Sequence, residues 1–263
     1  MSKAKARRFP APAEDASRIV PLDVPRGVQP TVDGAVLAAP KAQLTYRGGP
    51  LLIAVEVFTI FWGVEWTKKQ SATAGELNAF FDFILTSPLI DQLAEYSVPG
   101  KSIGHGSRTG TIRIPSPAPA TSISDTAIRS FLQKQLAGKS RLPAPTATSL
   151  YFLFLPPGVR VSAFGSLSCQ SFCGYHDAID KKIFYAVMPF PSCSGCRGGI
   201  AVLDALTVTS SHELCEAITD PIPGSGWYDD HNGEIGDICA WQSKKVGQYT
   251  VQLEWSNGAG RCV

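Results

Sequence analysis

"SSHELCEAITDP", residues 210–221, decides how the rest of the chain is read. It begins like the zinc-protease helix motif H-E-x-x-H, but Glu216 stands where the second histidine belongs. Apolar residues at 203, 206, 214 and 218 recur at helical spacing within "IAVLDALTVTSSHELCEAIT" (200–219), so the motif is expected inside one long helix. Positions i and i+4 of a helix project from one face, about 40° apart. His212 and Glu216 therefore reach a single ion, and zinc accepts imidazole nitrogen and carboxylate oxygen alike. Glu213, beside the first ligand, takes the place of the general base that activates water. A carboxylate in place of a histidine makes the centre less positive, and a less positive ion acidifies its water less. The expectation is a weaker Lewis acid than a two-histidine zinc site, or a harder divalent ion such as Mn2+ or Ca2+.

Two plainer readings fit the same letters. Ser210-x-x-Glu213 has capping-box spacing, although the apolar pattern is already running at 200. A solvated His-Glu helix face with no metal is the other.

A third protein ligand has to come from elsewhere. "WYDDHNGEIGDIC" (227–239) offers Asp229, Asp230, His231, Glu234 and Asp237. Glu234 is the preferred ligand, with Asp237 as the acceptor that orients His212. The reverse assignment stays open, and His176 in "CGYHDAI" is a further candidate. "DDHNGEIGD" also looks like part of a calcium loop, with oxygen donors on alternate residues and glycine at the tight turn, or simply a polar turn.

The chain has 263 residues, 44% hydrophobic and 17% charged, a composition that supports a buried core. A net charge of +2 gives no electrostatic case for nucleic acid or an anionic membrane surface. The most apolar run, "LLIAVEVFTIFWGVEW" (51–66), contains Glu56 and Glu65 and reads as a strand, not a membrane span. Residues 1–48 carry prolines at 10, 12, 21, 25, 30 and 40 and read as an extended arm. The sequence "MSKAKARRFPAPAEDASRIV" is basic and lacks the apolar core of a signal peptide.

Along the remainder, 51–62 reads as a buried strand, and Thr73-x-x-Glu76 as a capping box opening a helix with Leu77, Phe80, Phe81 and Ile84 on one face. Ser87-Pro88 breaks or restarts that helix. Residues 110–115 alternate as a strand, and Ser124 caps a helix that Gly138 stops near Ala137. Strands follow at 149–157 and 182–190, then the 200–219 helix, then a strand at 249–256. The order is β-α-β-α-β-β-α with a loop-rich tail: an α/β or α+β domain with a mixed sheet.

Seven cysteines (169, 173, 193, 196, 215, 239 and 262) all lie in the C-terminal part. Short-range disulfides, with Cys239–Cys262 tying down the tail and Cys215 left buried and unpaired, are the preferred reading. The spacing Cys169-x-x-x-Cys173 and Cys193-x-x-Cys196 also approaches a zinc ribbon.

Several blocks in order resemble the Exordium, or phosphate-induced, protein family. They are "VEVFTIFWGVEW" (55–66), "FCGYH" (172–176), the cysteines at 193 and 196, "SSHELCEAITDP…WYD" (210–229) and "GEIGDIC" (233–239). The likeness spans roughly 50–260, and the H-E-x-x-E and E-I-x-D-x-C blocks are its most specific part. It implies an extracellular, disulfide-bonded protein with a zincin-like helix in which Glu216 is the family's own choice. The sequence departs from the plant members in its shorter tail and in lacking a recognisable leader.

The resulting expectation is an arm over 1–48 and a zincin-like domain over 49–263. Its function would be a zinc metallohydrolase acting on peptide or protein, with His212, Glu216 and Glu234 (or Asp237) as ligands and Glu213 as base. The alternative is a non-catalytic extracellular module whose metal and disulfides serve stability; no transition-state stabiliser stands out near the motif. Nothing in the sequence bears on oligomeric state.

Overall fold

The computed structural model describes residues 19–21, 41–138 and 142–263. Its centre is a six-stranded mixed sheet. The spatial order is Ile19–Pro21, Phe172–Ile179, Ile183–Met188, Ser149–Phe154, Glu56–Trp62 and Ser107–Ile114. The last four run parallel to one another, and the first two join as antiparallel neighbours. The inner strands are buried almost residue for residue because helices or loops cover both faces. One face carries Phe61, Phe152, Phe154, Ala186 and Met188, packed under the helices Ser71–Ile84 and Val202–Thr219. The other carries Ile60, Tyr151, Leu153, Tyr185 and Val187, packed against Ile128 and Leu132 of the helix Asp125–Ala137.

The expected long helix is Val202–Thr219, buried on every side from Ala205 onward. It is enclosed because the hairpin Ser243–Val246/Tyr249–Gln252 covers the side away from the sheet. Thr207 Oγ1 donates to the Thr250 carbonyl at 2.7 Å, and the Gln252 N–H donates to Ser211 Oγ at 2.9 Å, so the covering strand is fastened at two heights. Ser210 lies mid-helix, so it caps nothing.

Several local expectations hold. Ser124 Oγ accepts from the Ala127 N–H at the start of Asp125–Ala137, and Ser87 Oγ accepts from the Leu89 N–H where Pro88 restarts a helical turn. Others need correction. The helix Ser71–Ile84 starts two residues before Thr73, so Thr73-x-x-Glu76 is not its cap. Phe172–Ile179 is a strand that the sequence pattern did not signal, and it carries His176. The arm expected over 1–48 does not stop at a clean boundary. Residues 1–18 and 22–40 lie outside the described residues, but Ile19–Pro21 is an edge strand, Ala42 and Leu44 are buried, and Thr45–Tyr46 pairs with Trp227–Tyr228.

Three disulfides brace the C-terminal part: Cys169–Cys193, Cys173–Cys196 and Cys239–Cys262. Cys215 is free and buried. Cys169, Cys193 and Cys196 lie close enough to suggest a metal cluster, but all three sulfurs are already bonded as cystines, so the zinc-ribbon reading falls. Among the described residues no helix is long and apolar enough to cross a membrane.

Candidate metal centre

His212, Glu213 and Glu216 project from the buried helix Val202–Thr219 and are all 0% exposed. Facing them is the strand Phe172–Ile179, whose alternation turns Gly174 and His176 towards the helix. Only glycine fits at 174: a Cβ there would lie 2.6 Å from Thr209 Cγ2. That close approach brings His176 Nδ1 to 2.9 Å from Glu213 Oε2 and 3.5 Å from Glu216 Oε2. The loop before Cys239 supplies Glu234 and Asp237 from a third direction.

Hydrogen bonds assign the protons on His212. Gln252 Nε2 donates to the Gly236 carbonyl at 2.8 Å, so Gln252 Oε1 is free to accept from His212 Nδ1 at 3.0 Å. The Nε2 lone pair of the neutral ring then points at acids. Glu216 Oε1 is 2.9 Å from it and Asp237 Oδ1 3.9 Å. Despite the short distance, His212 Nε2 makes no hydrogen bond. A nitrogen lone pair and two carboxylate oxygens converging out of solvent repel unless a cation lies between them.

His176 poses the same problem. Its Nε2 lies 3.2 Å from the Asp220 carbonyl, which can only accept, so Nε2 carries the proton. The Nδ1 lone pair of the neutral ring therefore faces Glu213 and Glu216. Glu234 Oε1 approaches His176 Nε2 at 3.6 Å, and neither of its oxygens has a hydrogen-bond partner. Two sets of donor atoms result, each within 4.8 Å of one another: His212, Glu216 and Asp237, and His176, Glu216 and Glu234. Buried imidazole nitrogen and carboxylate oxygen, several of them unpartnered, fit a divalent cation.

The electrostatics agree in direction. Burial opposes charge on both imidazoles, but the acids outweigh it: Glu216 foremost lifts His212 to about 10, and Glu234 foremost raises His176 well above its usual value. Burial also works against ionised Glu216, yet His212 and then His176 pull that carboxyl down to about 2. For Glu213 and Glu234 burial prevails and raises both, while Asp237 is raised to about 7. The centre attracts positive charge, and in metal-free protein protons supply it.

The expected ligands are thus brought together, with two changes of role. Asp237 lies on the Nε2 side of His212 and not on Nδ1; the acceptor on Nδ1 is Gln252, which the sequence pattern shows only as part of a strand. Glu234 lies against His176, not on the His212 side. Asp220 is another residue whose role the sequence did not reveal. Its carboxylate accepts from the N–H groups of Gly224, Ser225 and Gly226, and its carbonyl holds His176. The calcium-loop reading fails, because Asp229 spends its oxygens on the N–H groups of Gln43, His231 and Asn232. Asp230 pairs with Arg47 at 2.6 Å, and His231 is exposed.

No protein-family model matches this chain, and no curated protein matches it.

Proposed function

We propose that this chain is a metal-dependent hydrolase of the peptidase type, zincin-like in its use of one long metal-binding helix, and an extracellular relative of the Exordium proteins. The observation that carries the reading is His212 Nε2, an unpartnered buried nitrogen converging with Glu216 Oε1 and Asp237 Oδ1 while Gln252 occupies Nδ1. These three side chains would hold a zinc ion, or a harder divalent ion such as Mn2+ or Ca2+ given the oxygen-rich set. The three disulfides support an oxidising compartment.

When bound, the ion supplies Lewis acidity. The chain's own residues supply the proton handling. Gln252 keeps the His212 proton on Nδ1. Glu213 rests one oxygen on His176 and leaves Oε1 without a partner, so Oε1 can take a proton from water and return it to a leaving amine. Burial moves its carboxyl pKa upward, towards the neutral range where a general base works best. An extended peptide would add to the sheet edge at Phe172–Ile179, next to His176. Ile19–Pro21 already lies there, antiparallel, so on this reading substrate reaches the edge only when that segment leaves.

The site's enclosure favours a second reading. His176 and the three helix side chains are at most 1% exposed, which suits a non-catalytic module with a structural ion. Metal analysis of the purified protein, combined with Glu213→Gln against wild type on a denatured protein substrate, separates the two. An enzyme retains metal in the variant and loses roughly 10²–10⁴-fold in rate. Retained metal with no turnover in either protein identifies the module, and a metal-free protein defeats both accounts.

A further inference from the structure

Glu216 presents its two oxygens to different imidazoles, Oε1 to His212 at 2.9 Å and Oε2 to His176 at 3.5 Å. Each imidazole has an acid of its own, Asp237 for His212 and Glu234 for His176. The donor atoms thus form two groups that share one carboxylate. Resting on the metal reading above, we propose that the centre holds two divalent cations, the second between His176, Glu216 and Glu234, with Glu216 bridging the pair.

Three observations carry the second position. Glu234 is 0% exposed and both of its oxygens lack hydrogen-bond partners, so its carboxyl group is buried without the contacts that would offset its loss of water. His176 reaches the Asp220 carbonyl through Nε2 and the Glu213/Glu216 oxygens through Nδ1, so Nδ1 must carry positive charge, which a second proton supplies in metal-free protein and a metal ion can replace. The third is charge. Glu213, Glu216, Glu234 and Asp237 together carry four negative charges when ionised, and among the described residues the cationic side chains within 4.0 Å of them are the two histidines. One divalent ion with neutral imidazoles leaves half of that charge uncompensated in a site closed to water. Two divalent ions cancel it. Carboxylate-bridged pairs of this kind suit Zn2+ or Mn2+, which accept mixed nitrogen and oxygen ligands.

The test uses the full chain, stripped with chelator and reloaded with Mn2+ or Zn2+. Elemental analysis at saturation is expected to give about two ions per chain, and the Mn2+ form an exchange-coupled electron paramagnetic resonance spectrum. Glu234→Gln and Asp237→Asn should each reduce the count to about one and abolish the coupling, while far-ultraviolet circular dichroism stays that of wild type. The spectrum of the unmutated protein tests the idea even if a variant fails to fold. A saturating count of one, or an uncoupled spectrum at a count of two, overturns the second position and leaves the first intact. A count of zero overturns both.

Discussion

Gly236 sets how tightly the acid loop closes over the helix. A Cβ there would lie 2.8 Å from His212 Nδ1 and 2.9 Å from Glu216 Oε1. Gly236→Ala should therefore cost about 1–3 kcal/mol by overpacking and weaken metal binding, read by chemical denaturation and by metal titration. Unchanged affinity would mean that the loop is not part of the centre. The ionisable residues give a pH prediction for metal-free protein. Glu216, held at about 2 against a usual 4.5, contributes stability present above the usual value and lost as pH falls through 2. Asp237, raised to about 7, acts oppositely: its contribution falls as pH rises from about 4 to 7. His212, at about 10 against 6.5, contributes fully below 6.5 and loses that contribution as pH climbs through 10. Stripped protein should accordingly weaken from weakly acid to alkaline pH, while metal, which competes with these protons, stabilises more as pH rises. The gap in Tm between zinc-loaded and chelator-treated samples should widen between about pH 5.5 and 8; a constant gap would count against the centre. His212, Glu213, Glu216, Glu234 and Asp237 could be picked out as candidates because residues four apart on a helix share a face and a loop dense in acids follows it. Gln252 and Asp220 were not, because an amide on a strand and an acid after a helix carry no sign of what they will face.

Among the elements, the buried helix was the easiest to read and the strand opposite it the hardest. Val202–Thr219 kept its helical apolar rhythm, and only the covering hairpin Ser243–Val246/Tyr249–Gln252 explains why even its serines and threonines are buried. Leu214→Ala in that enclosure should cost about 2–5 kcal/mol in urea denaturation. "FCGYHDAI" does not alternate, since the strand is buried on both faces and gives up one position to glycine for helix contact and another to histidine for the site. Period-two reasoning needs one wet face, and this strand has none. Its outer neighbour Ile19–Pro21 can be tested separately. Val20 is 1% exposed, so Val20→Asp buries a charge and should detach the segment. On the hydrolase reading the detached form cleaves peptides faster than wild type, and equal rates would remove the edge from the mechanism.

For the molecule as a whole, the four parallel strands of the sheet and the three helices around it followed from apolar patterning, whereas its strands Ile19–Pro21 and Phe172–Ile179 did not. The loops of the C-terminal part were not legible either, because cystines and long-range polar contacts hold them, and neither leaves a periodic trace. Cys239–Cys262 fastens the acid loop to the final strand two residues beyond Asp237. Replacing both cysteines with serine should cost roughly 3 kcal/mol in urea and lower metal occupancy, with unchanged occupancy showing that the loop holds its shape unaided. The other two cystines, with Trp241, wall the slot that receives Val20, and Trp241 Nε1 donates to the Pro21 carbonyl at 3.0 Å. The ribosome makes Val20 long before Cys193 and Cys196, so the earliest residues of this fold are latched by some of its latest bonds. With the four cysteines of those two cystines reduced, the walls of the slot lose their covalent ties, so the segment should be held more loosely under thiol reductant than under oxidising conditions.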